Sequence, residues 1–98
     1  MDLQKFLSNK YRKDIALSEL DGRCIELSTK SCGIVKGTCR YPGPIFDEHT
    51  QQIIDANIIV LKNVESENLL KTFGLSPKRL SAQLITFYPD DIEDISIL

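Results

Sequence analysis

The side chains best suited to metal or thiol chemistry in this sequence are three cysteines and one histidine. Cys24, Cys32 and Cys39 lack the paired C-x-x-C spacing of zinc and redox motifs, and His49 lies alone in a proline-rich stretch. We therefore predict no metal site and no cofactor. We expect the cysteines to be free, as small apolar or half-buried strand residues in a reducing compartment, and His49 to be exposed in a loop.

The residues that could perform acid-base catalysis are concentrated in one short stretch, which contains Asp90, Asp91, Glu93 and Asp94. No acid-base partner lies near them, and the sequence has no nucleophile elbow, phosphate-binding glycine loop or H-E-x-x-H motif. We interpret the cluster as a solvated strand edge and turn, where charge also opposes aggregation. The sequence thus predicts a protein that is not an enzyme.

The charge balance bears on nucleic-acid binding. Twelve Lys and Arg against fourteen Asp and Glu give a net charge of -2, so no chain-wide positive excess exists to neutralise a phosphate backbone.

The longest apolar run is far shorter than the roughly 20 residues of a membrane span. With 98 residues, of which 42% are hydrophobic, we expect a single domain over residues 1–98 of a soluble intracellular protein.

The elements that must position these residues begin with a helix. Apolar residues at helical spacing predict an amphipathic helix over about 2–13, with Asp2 as its N-cap, and a second helical turn at Ile15 to Leu20. The stretches "RCIELSTK" and "GIVKGTCRY" alternate as two strands. Gly37 inside the second strand predicts a sharp bend or a close backbone approach.

The rest of the chain predicts three further strands. Residues 42–55 contain two prolines, so we interpret them as a long insertion between strands that cannot supply regular ladder donors at Pro42 and Pro44. Strands follow at "ANIIVLKNV", "RLSAQLITFY" and "IEDISIL", with one helical turn ended by Gly74 and a tight "PDD" turn between them. The predicted fold class is mainly β: an N-terminal α-helix followed by a five-stranded, strongly bent antiparallel sheet, which is a small open barrel.

This order resembles the Sm-like proteins, which have a helix, five strands and two sequence blocks separated by a variable linker. The stretch "LDGRCIELSTKSCGIVKGT" is similar to the first block, and "NIIVLKNVE" resembles the third strand. "LITFYPDDIEDISIL" resembles the fourth strand, the turn and the fifth strand. The first block thus covers about 20–65 with the proline-rich insertion at 42–55, and the second block covers about 78–98.

One departure from the Sm-like pattern bears on RNA binding. In RNA-binding members a uracil is held by an Asp and an Asn of the first block together with an Arg-Gly after the fourth strand. Asn57 is retained here, but the turn reads Phe87-Tyr88-Pro89 and lacks the guanidinium. An Sm-like barrel without this pocket resembles the Sm-like Gemin subunits of the survival-of-motor-neuron (SMN) complex. "DANIIVLKNVE" is similar to the corresponding strand of that group.

The resemblance implies a non-catalytic scaffold subunit that assists assembly of the Sm core on spliceosomal small nuclear RNA. Its partners would be another Sm-like protein, as a heterodimer, and further SMN-complex subunits, with RNA contacted only indirectly. In Sm-like folds the fourth strand of one subunit pairs with the fifth strand of its neighbour. The residues predicted to meet the partner are Leu84, Ile85, Phe87, Ile92, Ile95 and Ile97. Because strand side chains alternate, we expect half of them to fill the barrel's own core.

Two other functions fit parts of the sequence. A divergent like-Sm ring subunit in RNA processing or decay would use Asn57 with Arg40 or Arg79 near the pore of the ring. Its binding to oligouridine would depend on salt. An OB-fold module would instead need aromatic stacking platforms on one strand, and the aromatic residues here are not arranged in that way: Tyr41, Phe46, Phe73, Phe87 and Tyr88.

Overall fold

The computed structural model describes all 98 residues. An N-terminal helix precedes a five-stranded antiparallel sheet that curls into a half-barrel, which confirms the predicted fold class. No helix has the length and apolar character needed to span a bilayer. The elements in chain order are α1 Leu3–Tyr11, a 3₁₀ turn Leu17–Leu20, β1 Cys24–Thr29, β2 Gly33–Cys39, β3 Pro44–Asp47, β4 Gln52–Asp55, β5 Ile59–Glu65, α2 Glu67–Phe73, α3 Pro77–Ser81, β6 Ile85–Phe87, a 3₁₀ turn Pro89–Asp91 and β7 Ile92–Ile97.

The main sheet has the strand order β6-β5-β2-β1-β7, and every neighbouring pair is antiparallel. Four strands pair in the order in which they occur in the chain, whereas β7 returns to pair with β1. In β1 the alternation places Ile25, Leu27 and Thr29 inside the half-barrel. The two edges of the sheet are therefore β6 and β7, its fourth and fifth strands.

The sheet bends at Gly37, where the backbone of β5 approaches closely. A Cβ at Gly37 would lie 2.9 Å from the carbonyl oxygen of Lys62, and the β2–β5 register shifts between Lys36 and Thr38. On the partner strand, Asn63 adopts a left-handed φ of 53°, so this is a β-bulge that increases the local bend. The predicted close backbone approach at Gly37 is confirmed.

A single apolar core fills the half-barrel, and α1 packs over it. Seventeen buried residues form this cluster, in which Leu3 and Leu7 of α1 are fully buried. The side chain of Asp2 accepts a hydrogen bond from the N–H of Lys5 at 3.0 Å, which confirms the predicted N-cap. Because each buried leucine contributes about 1.5–3 kcal/mol, α1 is firmly attached to the sheet.

The predicted fourth strand is wrong in its first half. "RLSAQLITFY" reads as one strand, but only Ile85–Phe87 forms β6, and Pro77–Ser81 forms the helix α3. The side chain of Ser76 accepts a hydrogen bond from the N–H of Arg79 at 3.2 Å, and proline occupies the first helical position. These two residues fix the start of a helix, so the chain is already helical where the strand pattern begins. The predicted helical turn ended by Gly74 is confirmed as α2, with Gly74 in the left-handed conformation.

The insertion at 42–55 is more regular than its prolines indicate. Strands β3 and β4 pair as a separate two-stranded sheet within this insertion, a hairpin that the sequence analysis does not predict. Pro44 is the first residue of β3, a position where a missing N–H is tolerated. Each face of this hairpin carries one cross-strand pair of apolar residues. The side chains of these pairs are 40 to 72% exposed: Ile45, Phe46, Ile53 and Ile54. The hairpin and the helix α3 are the elements that the sequence analysis does not predict.

Candidate strand-edge interface

The outer edge of β6 carries unpaired backbone groups at Thr86. The register pairs Thr86 with Val60 of β5, and the carbonyl of Val60 accepts a hydrogen bond from Arg40 on the opposite side, at 2.8 Å. Backbone groups alternate in direction along an antiparallel strand, so the residues on either side of Val60 bond to β6 and Thr86 faces outward. Neither the N–H nor the C=O of Thr86 has a partner on that side.

An apolar groove of about 680 Å³ runs along this edge of β6. It lies between β6, the helices α2 and α3, and the β1–β2 turn, and its size is typical of a binding site. Four consecutive residues, 85–88, line it although their side chains alternate between the two faces of the sheet. The groove therefore follows the backbone edge of the strand. Its apolar lining residues are Cys32, Leu69, Phe73, Leu75, Leu80, Ile85, Phe87 and Tyr88.

The outer edge of β7 has its outward-facing backbone groups at Ile95 and Ile97. The N–H of Leu98 donates to the carbonyl of Cys24 at 2.9 Å, so Leu98 faces β1. Alternation then directs the backbone of Ile95 and of Ile97 away from the sheet. This edge would be as open as that of β6 if nothing else reached it.

Three side chains pair with three of the four outward groups of Ile95 and Ile97, and we call them the β7 latch: Lys10, Tyr11 and Asp94. The Nζ of Lys10 donates to the carbonyl of Ile95 at 2.6 Å, and the N–H of Ile97 donates to the hydroxyl of Tyr11 at 2.7 Å. The N–H of Ile95 donates to Oδ1 of Asp94 at 2.9 Å. The last turn of α1 thus occupies the positions that a neighbouring strand would use.

Lys10 and Asp94 form the charged pair of the latch. Nζ and Oδ1 are 2.9 Å apart, and Nζ also donates to Oγ of Ser96 at 3.1 Å. The hydrogen bond from Lys10, with a further one from the N–H of Ile95, lowers the pKa of Asp94 below its ordinary value. The carboxylate therefore stays ionised through the neutral range, and the pair weakens only as the pH falls into the acid range.

The six residues predicted to meet a partner divide between core and surface. The three core residues are at most 5% exposed: Phe87, Ile92 and Ile95. The three with accessible surface are Leu84, which is 66% exposed, and the half-buried Ile85 and Ile97. Of the six, Ile85 and Phe87 line the groove. Their role in binding stays a prediction.

The residues of the alternative RNA site lie on separate elements. Oδ1 of Asn57 accepts a hydrogen bond from the N–H of Leu3 at 2.9 Å, and Nδ2 donates to the carbonyl of Met1 at 2.6 Å. Its amide therefore anchors the start of α1. Arg40 follows β2 and Arg79 lies in α3, and both side chains are exposed and without an ion pair.

The three cysteines are free and lie in different environments. Burial of Cys39, together with the charge of Asp21, raises its pKa to about 11, which disfavours the nucleophilic thiolate. Cys24 is exposed, and Cys32 is half-buried in the wall of the groove. His49 is exposed in the β3–β4 turn, and no Cys, His, Asp and Glu side chains are grouped so that they could hold a metal ion.

Sequence reasoning missed residues at both edges. Thr86 and Tyr88 belong to the predicted fourth strand, but side-chain polarity does not indicate which backbone groups face outward. The roles of Lys10 and Tyr11 leave no local signal, because their partners on β7 are 84 to 86 residues further along the chain. Charge complementarity between Lys10 and the acidic cluster was the one clue available.

A scan against protein-family models, a search of curated proteins and a search of solved structures each returned no match to this chain. The two unlike edges and the groove are the observations that bear on function.

Proposed function

We propose that this chain is a non-catalytic scaffold subunit that binds another small β protein through the open edge of β6. The observation that carries this proposal is the outward-facing, unpaired backbone of Thr86 between two exposed apolar residues. Leu84 is 66% exposed and Tyr88 is 63% exposed. Unpaired N–H and C=O groups flanked by apolar side chains form a site at which another chain adds a strand.

The partner in this proposal is another Sm-like protein, with which the chain forms a heterodimer. Further SMN-complex subunits would join the pair, which assists Sm-core assembly on spliceosomal small nuclear RNA in the cytoplasm and nucleus. This follows from the sequence resemblance and is supported by the sheet, whose two edges are its fourth and fifth strands. Those are the strands through which Sm-like subunits contact one another.

The β7 latch favours a heterodimer over a ring. In a ring, every subunit pairs through both edges, so both edges must accept a strand. Three of the four outward backbone groups of Ile95 and Ile97 already have partners within the chain, and only the C=O of Ile97 has none. Asn57 is also committed to the start of α1, which disfavours its use in a uridine pocket. Both observations support a subunit with one strand-paired neighbour and no direct RNA contact.

Substitution of Thr86 by proline tests this proposal. The N–H that Thr86→Pro removes faces outward, so the β5–β6 ladder keeps its own donors, and proline is accepted on edge strands. Thr86→Val is the matched control because it keeps the N–H in a side chain of nearly equal shape. We expect purification from the native cell after nuclease treatment to recover a small Sm-like protein and the SMN protein with wild type and Thr86→Val. Thr86→Pro should lose both.

Two outcomes would contradict the proposal. Recovery of six like-Sm proteins in a nuclease-sensitive manner would indicate a ring subunit that binds RNA. An unchanged set of partners with Thr86→Pro would exclude the β6 edge as the site of contact. Circular dichroism and thermal unfolding of the three proteins verify that each variant is folded before the partners are compared.

A further inference from the structure

We propose that the groove beside β6 binds an extended, uncharged segment of the partner with a large apolar side chain at every second position. The inference rests on the proposed function for the use of the β6 edge, and it adds the chemistry of the segment that binds there. Three features of the site select this segment: the backbone of Thr86, the shape of the groove and a lining whose single charge is the hydrogen-bonded carboxylate of Asp91.

The backbone of Thr86 selects an extended segment. Its N–H and C=O point out of the sheet and have no partner, so a bound segment must offer a carbonyl and an N–H at strand spacing. A helix has satisfied its backbone groups internally. A helix in the groove would therefore leave both groups of Thr86 buried and unpaired, which is unfavourable.

The shape of the groove favours a bound segment in which apolar and polar residues alternate. Side chains of an added strand point in turn to opposite faces of the sheet. On one face they enter the groove between β6 and the two helices, where Leu69, Phe73 and Leu80 form the wall. On the other face they meet solvent and the exposed side of Leu84. Large apolar residues therefore suit the inward positions, and polar residues suit the outward ones.

The charges of the groove select an uncharged segment. Asp91 is the one charged residue in the lining. Its carboxylate accepts hydrogen bonds from the backbone N–H of Ser31 at 2.9 Å and from the hydroxyl of Ser31. The lining thus offers no positive charge to an acidic side chain, and the one carboxylate that a basic side chain could meet already accepts two hydrogen bonds from Ser31.

The strands of this chain do not meet these demands, which argues against a second copy as the occupant. Three of the four outward groups of Ile95 and Ile97 on β7 are held by the latch. The hairpin strands carry their apolar residues at adjacent positions, as in Ile45 and Phe46 or Ile53 and Ile54, so one residue of each pair would face solvent. β6 itself offers only three residues.

Cysteine reactivity provides a direct test, because Cys32 lines the groove whereas Cys24 is exposed outside it. The probe is a blocked peptide of alternating leucine and threonine with a serine-rich tail at each end, and the control peptide has the same composition with its leucines adjacent. Alkylation by iodoacetamide is followed by mass spectrometry. At a peptide concentration about four times Kd, we expect Cys32 to react about fivefold more slowly, since one groove in five stays empty. Cys24 should be unaffected.

Two exposed phenylalanines provide matched variants. Phe73 is on the groove wall and is 64% exposed, and Phe46 is on the hairpin and is 57% exposed. Both changes to alanine remove the same apolar group without opening the core. We expect Phe73→Ala to weaken binding of the alternating peptide about tenfold, and Phe46→Ala to leave it unchanged.

Equal effects of the two variants would overturn the inference. Equal protection of Cys32 by the control peptide or by an amphipathic helical peptide would do so too. Protection that increases with protein concentration in the absence of peptide would identify a second copy as the occupant. Recovery of no small Sm-like partner with the wild-type protein, while the peptide still protects Cys32, would refute the proposed function and leave the groove assignment standing.

Discussion

Replacing Lys10 by methionine removes the charged donor of the β7 latch and keeps an apolar stem of similar length. Nζ of Lys10 contacts Asp94 at 2.9 Å, the carbonyl of Ile95 at 2.6 Å and Ser96 at 3.1 Å. All three contacts are lost in Lys10→Met. The carbonyl of Ile95 then faces outward without a protein partner, so the edge of β7 becomes partly open.

The expected loss of stability follows from the exposure of these groups. The side chains of Lys10 and Asp94 are 30% and 52% exposed, so their ion pair contributes only about 0.2–1 kcal/mol. The charged hydrogen bond to Ile95 is worth about 1.5–3 kcal/mol when buried, and water replaces part of it at this edge. We expect the free energy of unfolding to fall by about 1.5 kcal/mol, which lowers Tm by about 6–12 °C for a domain of this size.

Urea unfolding near neutral pH measures the loss, with Lys5→Met as the control. Lys5 is also on α1, but its side chain makes no hydrogen bond or ion pair, so its replacement should change stability by at most about 0.5 kcal/mol. Sedimentation velocity measures the second consequence, which is concentration-dependent association of Lys10→Met through the opened edge. Equal stability of the two variants, or a strictly monomeric Lys10→Met, would refute the latch.

The pH dependence gives an independent check of the same pair. Because the pKa of Asp94 is lowered in the folded state, its contribution is complete above the ordinary carboxyl pKa of about 4 and is lost as the pH falls through the folded value. Lys10→Met removes the main cause of that shift. The stability difference between wild type and Lys10→Met should therefore shrink in the acid range and be smallest at about pH 2.

Two further variants test the bend and the anchor of α1. In Gly37→Ala the new Cβ would lie 2.9 Å from the carbonyl oxygen of Lys62 and 3.1 Å from Cβ of Leu61, so overpacking should cost about 1–3 kcal/mol in urea unfolding; an unchanged midpoint would show that the strands can separate there freely. Asn57→Ala removes both hydrogen bonds that hold the start of α1 and should speed amide hydrogen exchange in α1 while leaving oligouridine binding undetectable. Salt-dependent oligouridine binding by wild type that this variant abolishes would restore the RNA-binding alternative.

The parts of the fold that the sequence predicts are those set by local side-chain pattern. The alternation of Ile25 and Leu27 with polar residues predicts β1. A short turn joins β1 to β2 and fixes their register, in which Ile25 pairs with Gly37 and Leu27 with Val35. Gly37 marks the bend because only glycine fits so close to the carbonyl of Lys62. Asp2 and Gly74 mark a helix start and a helix end by their capping preferences.

The parts that the sequence does not predict depend on competition between two local patterns, or on contacts between residues that are far apart in the sequence. Ser76 and Pro77 start α3 inside a stretch that also alternates like a strand, and the helix forms because its capping bond is made within three residues. The open edge depends on which way the backbone of Thr86 faces, and this is set by the pairing of β5 with β2 and not by any side chain. The latch joins Lys10 to β7 across more than eighty positions, where local patterns carry no information.

The return of β7 to β1 has a consequence for how the chain is assembled. Strand β1 pairs with its immediate neighbour β2 and also with a strand near residue 95, so the first pairing closes a short loop and the second closes a very long one. Long-range pairings form late. Until β7 docks, β1 is itself an open edge, and a half-folded chain presents one edge at β1 and another at β6. Docking of β7, secured by Lys10 and Tyr11, is the step that removes the first of these and leaves β6 as the open edge of the main sheet.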